Sequence, residues 1–396
     1  MMKVLYINTS YDFTRGVNAN RVFDFLNFFT QKGIEITHLT PCKPFAVDGV
    51  KELIVPFSYT KKPSMYLRFL QEFVSYKDSK QNEVWVDDIK AYVESNPHFF
   101  KDFDIVFINT QPRCLIKLAK YFKSKYSCKI VVDLQDPFAY DPYSLLLPPF
   151  LKTARQYEKE ILADVDLLLT ITPSFYEVYK KHYPMLEMLF VPTATPNYLP
   201  KPADKSSEQG DVNIVYGGSL HGNRTIFPLL QALRKVKQSR FKVEVVGNFS
   251  TLTKFRYYNY PEIIWKPSMN RFDFLNYFNK TADIAIVVQA PIHQDTGLSG
   301  IGAKTYEYLS LNKAIIYIGP PGDNADIVSK YSNNYCVVTN LKRDLPKLVD
   351  YLKNYQRLAK NTKDQYFIDY HPEKINLVIV KAFQKLLNKP HSKDRR

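Results

Sequence analysis

The sequence predicts two α/β domains, each built on a parallel sheet, and three patterns predict this class. Residues 4–8 are predicted as a strand, followed by a loop, a helical pattern at 20–32 and a second predicted strand at 34–39. The same order of strand, loop, helix and strand returns from residue 212, after a stretch rich in Pro, Ser and Lys. A further unit at 283–318 has a glycine-rich loop between its strand and its helix. Alternating strands and helices favour doubly wound parallel sheets.

Length and charge limit the class of protein. The 396 residues suit two domains of ordinary size. Four scattered cysteines without a Cys-x-x-Cys pair indicate reduced thiols in a cytosolic protein, and no apolar run approaches the roughly 18 residues of a membrane span. The formal net charge of +15 predicts an anionic partner. Because no nucleic-acid-binding motif is present, we expect a cytoplasmic protein, peripheral on the inner face of an anionic membrane. The alternative is that the positive charge reflects a generally basic proteome and has no specific partner.

Residues 57–80 interleave aromatic side chains with lysine and arginine. This pattern is typical of an amphipathic helix that lies on lipid. It is equally typical of a buried helix with a solvated basic side, because both have the same periodicity. Both interpretations stay open.

Two pairs of aspartates in the first half of the chain flank predicted strands. Asp133 and Asp136 lie at the carboxyl end of the strand predicted from residue 129, which is where α/β sheets place ligands. Asp136 is therefore expected to orient an acceptor hydroxyl, and turn formation by Asp-Pro is the alternative. Asp164 and Asp166 match a metal-binding pair. They lead directly into a strand, so they predict a helix-to-strand junction without a metal.

The glycine-rich loop of the third unit predicts an anion site. Gly297, Gly300 and Gly302 precede a predicted helix. The N–H groups at a helix N-terminus point outward and the helix dipole adds positive potential, so such an end binds phosphate. The positive charge of Lys304 is unfavourable in the first turn of the helix unless an anion binds beside it. Glu307, three residues later, lies on the same face of the helix as Lys304. The alternative is a surface Lys–Glu pair beside a flexible loop.

A second glycine pair opens the second half of the chain. Gly217 and Gly218 follow the apolar run that starts at residue 212, and glycines let the backbone approach a ligand closely. Arg224 follows them, and Gly247 ends the next predicted strand.

Residues 302–309, Gly-Ala-Lys-Thr-Tyr-Glu-Tyr-Leu, and residues 312–316, Asn-Lys-Ala-Ile-Ile, resemble the C-terminal donor motif of retaining GT-B glycosyltransferases. The resemblance implies two Rossmann-like domains with doubly wound parallel sheets that face each other across a cleft. It implies that the acceptor binds the first domain and the donor binds the second. The expected bounds are 1–196 joined by a C-terminal helix at 373–388, a linker at 197–210, the second domain at 211–372, and a basic tail at 389–396.

The resemblance also implies residue roles. In that family the motif lysine contacts the nucleotide diphosphate and the glutamate bonds the ribose, which gives these roles to Lys304 and Glu307. A second glutamate of the family falls on Ser299, a departure that concerns the donor sugar. The loop after the first strand, with Arg15 and Gly16, belongs to the acceptor side. The predicted donor-binding residues are Gly217, Gly218, Arg224, Gly247, Ser299, Gly300, Gly302, Lys304, Thr305 and Glu307. The predicted acceptor-side residues are Arg15, Gly16, Asp133 and Asp136, and the predicted catalytic residues are Asp136, Lys304 and Arg224.

The implied function is a hexosyltransferase that moves a sugar from a nucleotide-diphosphate sugar to a glycan or lipid-linked acceptor in cell-surface polysaccharide biosynthesis. Retention follows from the resemblance alone. No cofactor or metal is expected, because Lys304, Arg224 and the helix N-terminus would stabilise the departing diphosphate. One alternative is a sugar-nucleotide epimerase of the same fold, which should carry acid and base carboxylates and a histidine. The other is a noncatalytic subunit of a glycosylation complex, which Ser299 favours.

Overall fold

The computed structural model describes residues 1–9, 17–42, 46–60, 73–196, 198–205, 209–220, 224–237 and 240–389. The predictions for Arg15, Gly16, residues 61–72 of the basic aromatic stretch and the tail from residue 390 lie outside the described residues. The chain divides into two compact units.

The first unit contains a parallel sheet of seven strands in the order β3-β2-β1-β4-β5-β6-β7. The unit comprises Met1–Pro192, His293–Leu298 and the segment from Pro372. Its strands are β1 (Lys3–Ile7), β2 (Glu35–Thr40), β3 (Val50–Ile54), β4 (Ile105–Asn109), β5 (Lys129–Leu134), β6 (Leu167–Thr170) and β7 (Met188–Phe190). Its helices before residue 193 are α1 (Val17–Gln31), α2 (Lys80–Ser95), α3 (Pro97–Phe100), a short 3-10 helix (Arg113–Ile116), α4 (Lys117–Lys125), α5 (Pro148–Leu162) and α6 (Pro173–His182).

The second unit contains a parallel sheet of six strands in the order β10-β9-β8-β11-β12-β13. The unit comprises Thr193–Ile292 and Ser299–His371. Its strands are β8 (Val212–Gly217), β9 (Phe241–Val246), β10 (Ile263–Lys266), β11 (Ile284–Val288), β12 (Ala314–Ile318) and β13 (Tyr335–Val338). Its helices are α7 (Phe227–Val236), α8 (Thr251–Arg256), α9 (Arg271–Thr281), α10 (Ala303–Ser310), α11 (Asp323–Tyr331), α12 (Leu341–Lys353) and α13 (Asp364–Asp369); α14 (Pro372–Leu387) belongs to the first unit. Across the residues that the structure describes, no helix is both long enough and apolar enough to cross a membrane.

Both sheets are doubly wound and parallel, as the sequence predicted. Helices cover both faces of such a sheet, so its central strands are continuous apolar runs. β4 and β12 follow this rule, because each of their residues is buried. The edge strand β3 was missed by the sequence analysis because it is only partly buried and its composition, Val-Lys-Glu-Leu-Ile, has no continuous apolar run.

The Pro-rich stretch that was predicted as a linker packs within the second unit. The backbone N–H of Thr195 donates to the carbonyl of Tyr370 at 2.8 Å. Asn279 accepts from the N–H of Ala203 at 3.1 Å and donates to the carbonyl of Lys201 at 2.8 Å. Residues 193–196 and 198–205 therefore form part of the second unit.

The buried carboxylate of Asp283 binds Lys205 of this Pro-rich stretch at the amino edge of the second sheet. Asp283 lies 3.0 Å from Lys205 Nζ and 2.9 Å from Arg357 Nε, and it accepts from the N–H of Asn213 at 2.8 Å. Burial raises the pKa of Asp283, but the hydrogen bonds from Arg357, Asn213 and Lys205 lower it more, so its pKa lies below the usual value. A carboxyl with a lowered pKa stabilises the fold at neutral pH, and this contribution is lost as the pH falls through that pKa.

We expect Asp283→Asn to lower the free energy of unfolding by about 3 kcal/mol at neutral pH, because it leaves two largely buried cations without an anionic partner. Urea unfolding between about pH 7 and about pH 3 should show that the difference in the free energy of unfolding between wild type and variant becomes smaller at the acidic end. Asp364→Asn is the control, because Asp364 pairs with Lys360 on the surface, and its effect should stay within about 0.5 kcal/mol. Equal stability of wild type and Asp283→Asn at neutral pH would contradict the expectation.

Candidate functional site

Polar groups and glycines of the second unit gather at the carboxyl edge of its sheet. The strand order reverses between β8 and β11, which pair in parallel although they are not consecutive. In open α/β sheets a crevice for ligands forms at such a reversal. Gly217, Gly218 and Gly247 stand at the ends of β8 and β9, and the loop with Gly300 and Gly302 connects β11 to α10.

Lys304 ties the N-terminus of α10 to the end of β8. The helix begins after Gly302, which has no side chain to cap it. The ammonium of Lys304 donates to the carbonyl of Gly217 and lies 5.5 Å from the ring centroid of Tyr216. Two motifs that are 87 residues apart in the sequence are thus brought into contact.

Glu307 is buried and pairs with Arg271, a residue that the sequence analysis missed. Arg271 Nη2 contacts Glu307 Oε1 and also lies 2.5 Å from the hydroxyl of Tyr198. Tyr198 donates to the same carboxylate oxygen at 3.4 Å. The alternative of a surface pair between Lys304 and Glu307 is wrong, because Glu307 is only 3% exposed and its ion-pair partner comes from α9. Arg271 is the first residue of its helix, and a cation at that unfavourable position is the signal that could have revealed it.

The charges around Lys304 do not balance. Burial lowers the pKa of the Lys304 ammonium from its ordinary 10.5 to about 8; Glu307 opposes this, and the cations of Arg224 and Arg271 reinforce it. Burial also raises the pKa of Glu307, against the attraction of Arg271 and Lys304. Among the described side chains, Nε of Arg271 is a buried donor without a hydrogen-bond partner. We call Lys304, Arg224 and Arg271 the cationic cluster; an anion would neutralise its excess charge.

Three of the predicted donor-binding glycines are required by packing of the protein itself. Gly218 has φ +130°, and a Cβ atom there would lie 2.1 Å from Nζ of Lys304. A Cβ atom on Gly247 would lie 2.4 Å from the carbonyl oxygen of Gly218, and one on Gly217 would lie 2.1 Å from the Phe274 ring. These glycines let the loops after β8 and β9 approach each other and Lys304.

Gly300 and Gly302 differ, because a Cβ atom on either would meet no atom closer than 3.8 Å. Their backbone is therefore open to a ligand. Gln289 holds this loop by donating to the carbonyl of Gly300 at 3.0 Å, and it accepts from Asn324 Nδ2 at 3.0 Å. The hydroxyl of Thr305 is completely buried and donates to Asn324 at 2.6 Å, so this side chain fixes the loop rather than contacting a ligand.

Ser299 acts as a helix cap in the fold. Its hydroxyl oxygen accepts from the N–H of Asp323, the first residue of α11, at 2.6 Å. Gly322 makes room for this contact, because a Cβ atom there would lie 2.4 Å from the Ser299 hydroxyl. At this position the chain has no carboxylate to present to a donor sugar.

An apolar pocket of about 560 Å³ borders the same loop. Its walls include Phe227, Pro291 and Leu341, together with Gln289 and Thr225. Gln289 bonds to Gly300, and Thr225 directly follows Arg224 of the cationic cluster. A ligand with an anionic part and an apolar part fits this combination.

In the first unit, Asp133 and Asp136 stand at the carboxyl edge near the reversal between β1 and β4. Asp133 is completely buried, and its carboxylate accepts four hydrogen bonds, two from Arg21 at 2.9 and 3.1 Å, one from Asn109 at 3.1 Å and one from Gln135 at 3.0 Å. Asp136 is exposed and accepts from Gln111 Nε2 at 2.8 Å. Asp133 therefore holds the edge together, whereas the carboxylate of Asp136 is accessible.

The predicted junction at Asp164 and Asp166 is confirmed. Asp166 lies between α5 and β6, accepts from the N–H of Ile130 at 2.8 Å and pairs with Lys123. Within the described ranges, no group of three or more His, Cys, Asp or Glu side chains is placed to hold a metal ion.

The sequence matches no family model and no curated protein. Solved structures do match the fold over nearly the full length. Sucrose-phosphate synthase from Thermosynechococcus elongatus has a TM-score of 0.66 at 12% identity, with 98% of this chain and 99% of that chain covered. HepE from Anabaena, solved with UDP and glucose, has a TM-score of 0.64 at 12% identity, with 97% and 100% covered. The pneumococcal O-GlcNAc transferase GtfA, solved with UDP and GlcNAc, has a TM-score of 0.62 at 9% identity, with 98% and 99% covered.

These matches agree with the two doubly wound sheets and their strand orders. At 9–12% identity they show the fold and do not assign an activity. The chain has the GT-B fold of glycosyltransferases.

Proposed function

We propose that the protein is a glycosyltransferase that transfers a sugar from a nucleotide-diphosphate sugar. The observation that carries the proposal is the cationic cluster at the N-terminus of α10, with Glu307 as the neighbouring carboxylate and two open glycines beside it. Cleavage of a nucleotide sugar leaves negative charge on the diphosphate, and fixed cations with helix N–H groups stabilise such charge. The HepE and GtfA structures hold UDP with a sugar, which makes UDP-sugars the first donors to test.

In this proposal Lys304 and Arg224 contact the diphosphate of the donor. Lys304 exchanges its contact with the Gly217 carbonyl for a phosphate oxygen, and the open backbone of Gly300 and Gly302 lies along the donor. Glu307, held by Arg271, bonds the ribose. Asp136 of the first unit orients the hydroxyl of a glycan or lipid-linked acceptor, with retention at the transferred sugar and a role in cell-surface polysaccharide biosynthesis.

A second candidate is a subunit that binds nucleotide sugars without catalysis, and Ser299 favours it. The hydroxyl of Ser299 is engaged as the cap of α11, so the acidic residue of the family motif has no equivalent here. Incubation with radiolabelled UDP-glucose and UDP-GlcNAc, in the presence of a membrane extract that supplies glycan and lipid-linked acceptors, separates the two candidates. Release of UDP with the label joined to an acceptor identifies a transferase, whereas saturable binding with complete recovery of the donor identifies the binding subunit.

We expect Lys304→Ala to reduce the transfer rate by a factor on the order of 10²–10³, because it removes a cation that meets the developing charge. Lys342→Ala is the matched control, because Lys342 is exposed on α12, and its rate should equal that of the wild type. Steady-state kinetics measure the transfer rate of both variants, and thermal unfolding midpoints show whether they are folded. A folded Lys304→Ala enzyme with wild-type activity would disprove the proposed role.

We expect the affinity for UDP to decrease above about pH 8. Lys304 binds phosphate in its charged form, and burial has lowered its pKa to about 8, so the charged fraction declines as the pH rises through this value. The dissociation constant should then rise by up to about tenfold for each further pH unit. Calorimetric titrations with UDP at and above about pH 8 measure this dissociation constant. Lys304→Arg stays charged and should bind with little pH dependence; a parallel decline in both proteins would exclude Lys304 as the titrating group.

We expect transfer to proceed without a divalent metal, because Lys304 and Arg224 supply the positive charge that a metal supplies elsewhere. The measurement is the initial rate after treatment with EDTA, compared with untreated enzyme. Loss of activity in EDTA that Mg²⁺ or Mn²⁺ restores would show that a metal takes part.

A further inference from the structure

Three large apolar side chains project into solvent from one short segment of the second unit. Leu252 is 72% exposed, Phe255 64% and Tyr258 67%, and they follow at intervals of three residues through α8 and the turn after it. The rings of Phe255 and Tyr258 stack with centroids 5.5 Å apart. We call these three residues the aromatic patch. None of the residues of α8 is buried, so its two large apolar side chains, Leu252 and Phe255, lie mostly in solvent.

The fold holds the aromatic patch in this exposed position. Tyr257 is only 2% exposed, and its hydroxyl lies 3.1 Å from Thr225 Oγ1 and accepts from the N–H of Ile226 at 3.3 Å. Its ring lies 4.5 Å from that of Phe227. Ser250 caps the start of α8 by accepting from the N–H of Thr253 at 3.1 Å. Because the segment is anchored in this way, its apolar side chains stay exposed to water. A cluster of exposed apolar side chains indicates a surface that binds a membrane or another molecule.

The charge of the segment indicates what covers it. Lys254 and Arg256 are exposed and alternate with the apolar side chains, and the sequence contains no Asp or Glu from residue 245 to residue 261. Apolar and aromatic side chains mixed with cations are typical of surfaces that enter the headgroup layer of an anionic membrane. A stable protein interface needs about 20–30 residues on each side, far more than the three large side chains of the aromatic patch.

The aromatic patch adjoins the candidate donor site on the same edge of the second sheet. α8 begins four residues after Gly247, and Tyr257 contacts Thr225, the residue after Arg224. A membrane that contacts the aromatic patch would therefore lie next to the edge that carries the cationic cluster.

We propose that the aromatic patch, with Lys254 and Arg256, docks the protein on the surface of an anionic membrane. Leu252, Phe255 and Tyr258 insert among the headgroups, and the two cations contact anionic lipids. The residues of this surface are not those of the basic aromatic stretch at 57–80, which the sequence analysis singled out. The proposal does not depend on the proposed enzymatic activity, because docking requires no donor or acceptor.

The test is sedimentation of the full chain with vesicles of phosphatidylcholine alone and with about 30% phosphatidylglycerol, at about 50 and about 500 mM salt. The wild type should bind the anionic vesicles at low salt and less at high salt. Lys254→Glu/Arg256→Glu should weaken binding by at least about 25-fold, since each cation near an anionic surface contributes about fivefold. Phe255→Ser/Tyr258→Ser should weaken it by at least about tenfold.

Ile368→Ser is the matched control, because Ile368 is 56% exposed on α13, away from the aromatic patch in the sequence, and its binding should equal that of the wild type. Thermal midpoints confirm that every variant is folded. Phe255→Trp gives a second readout, because insertion should shift its fluorescence to the blue on anionic vesicles. The proposal is overturned if the wild type does not bind anionic vesicles, or if either double variant binds as the wild type does. Self-association that the same substitutions abolish, without vesicle binding, would assign the aromatic patch to a protein partner and also overturn it.

Discussion

The ion pair between Glu307 and Arg271 organises the carboxyl edge of the second unit. It joins α9 to α10, and Tyr198 from the Pro-rich stretch bonds to the same carboxylate oxygen. Because Glu307 is buried, its carboxylate attracts Lys304 as well, whose ammonium reaches the end of β8. A buried ion pair is weak evidence for added stability, since desolvation offsets much of the attraction. Its effect here is to fix the position and the charge of the cations at the edge of the sheet.

The first unit contains a similar arrangement at its own strand reversal. Asp133 is buried at the end of β5 and accepts two hydrogen bonds from Arg21, which also donates to the carbonyls of Val191 and Pro192 at 3.1 and 3.0 Å. In each unit, therefore, a buried carboxylate and an arginine hold the polar edge. Among the residues that the structure describes, the two edges present different groups to solvent. The first unit presents the carboxylate of Asp136, whereas the second presents an excess of positive charge and two open glycines.

The candidate donor site, the apolar pocket and the aromatic patch meet on one edge of the second unit. Gln289 connects the pocket to the glycine loop, and Tyr257 connects the aromatic patch to the start of α7 beside Arg224. An enzyme that joins a water-soluble nucleotide sugar to an acceptor held at a lipid surface needs these features close together. Under the two proposals, cations at this edge bind the diphosphate and the anionic headgroups, which would account for part of the net charge of +15.

The sequence by itself determined the elements whose signal is local. Central strands such as β12 are continuous apolar runs because both faces of a parallel sheet are covered, and the motif at residues 302–309 resembled a donor site because its lysine, glutamate and glycine are close in the chain. Only the tertiary structure decided the features that depend on distant partners. Glu307 pairs with Arg271, 36 residues away, Ser299 caps a helix that begins at Asp323, and Leu252, Phe255 and Tyr258 are exposed although their composition suits a core. The physical reason is that burial and charge balance are set by whichever side chains the fold brings together, and neither periodicity nor spacing along the chain contains that information.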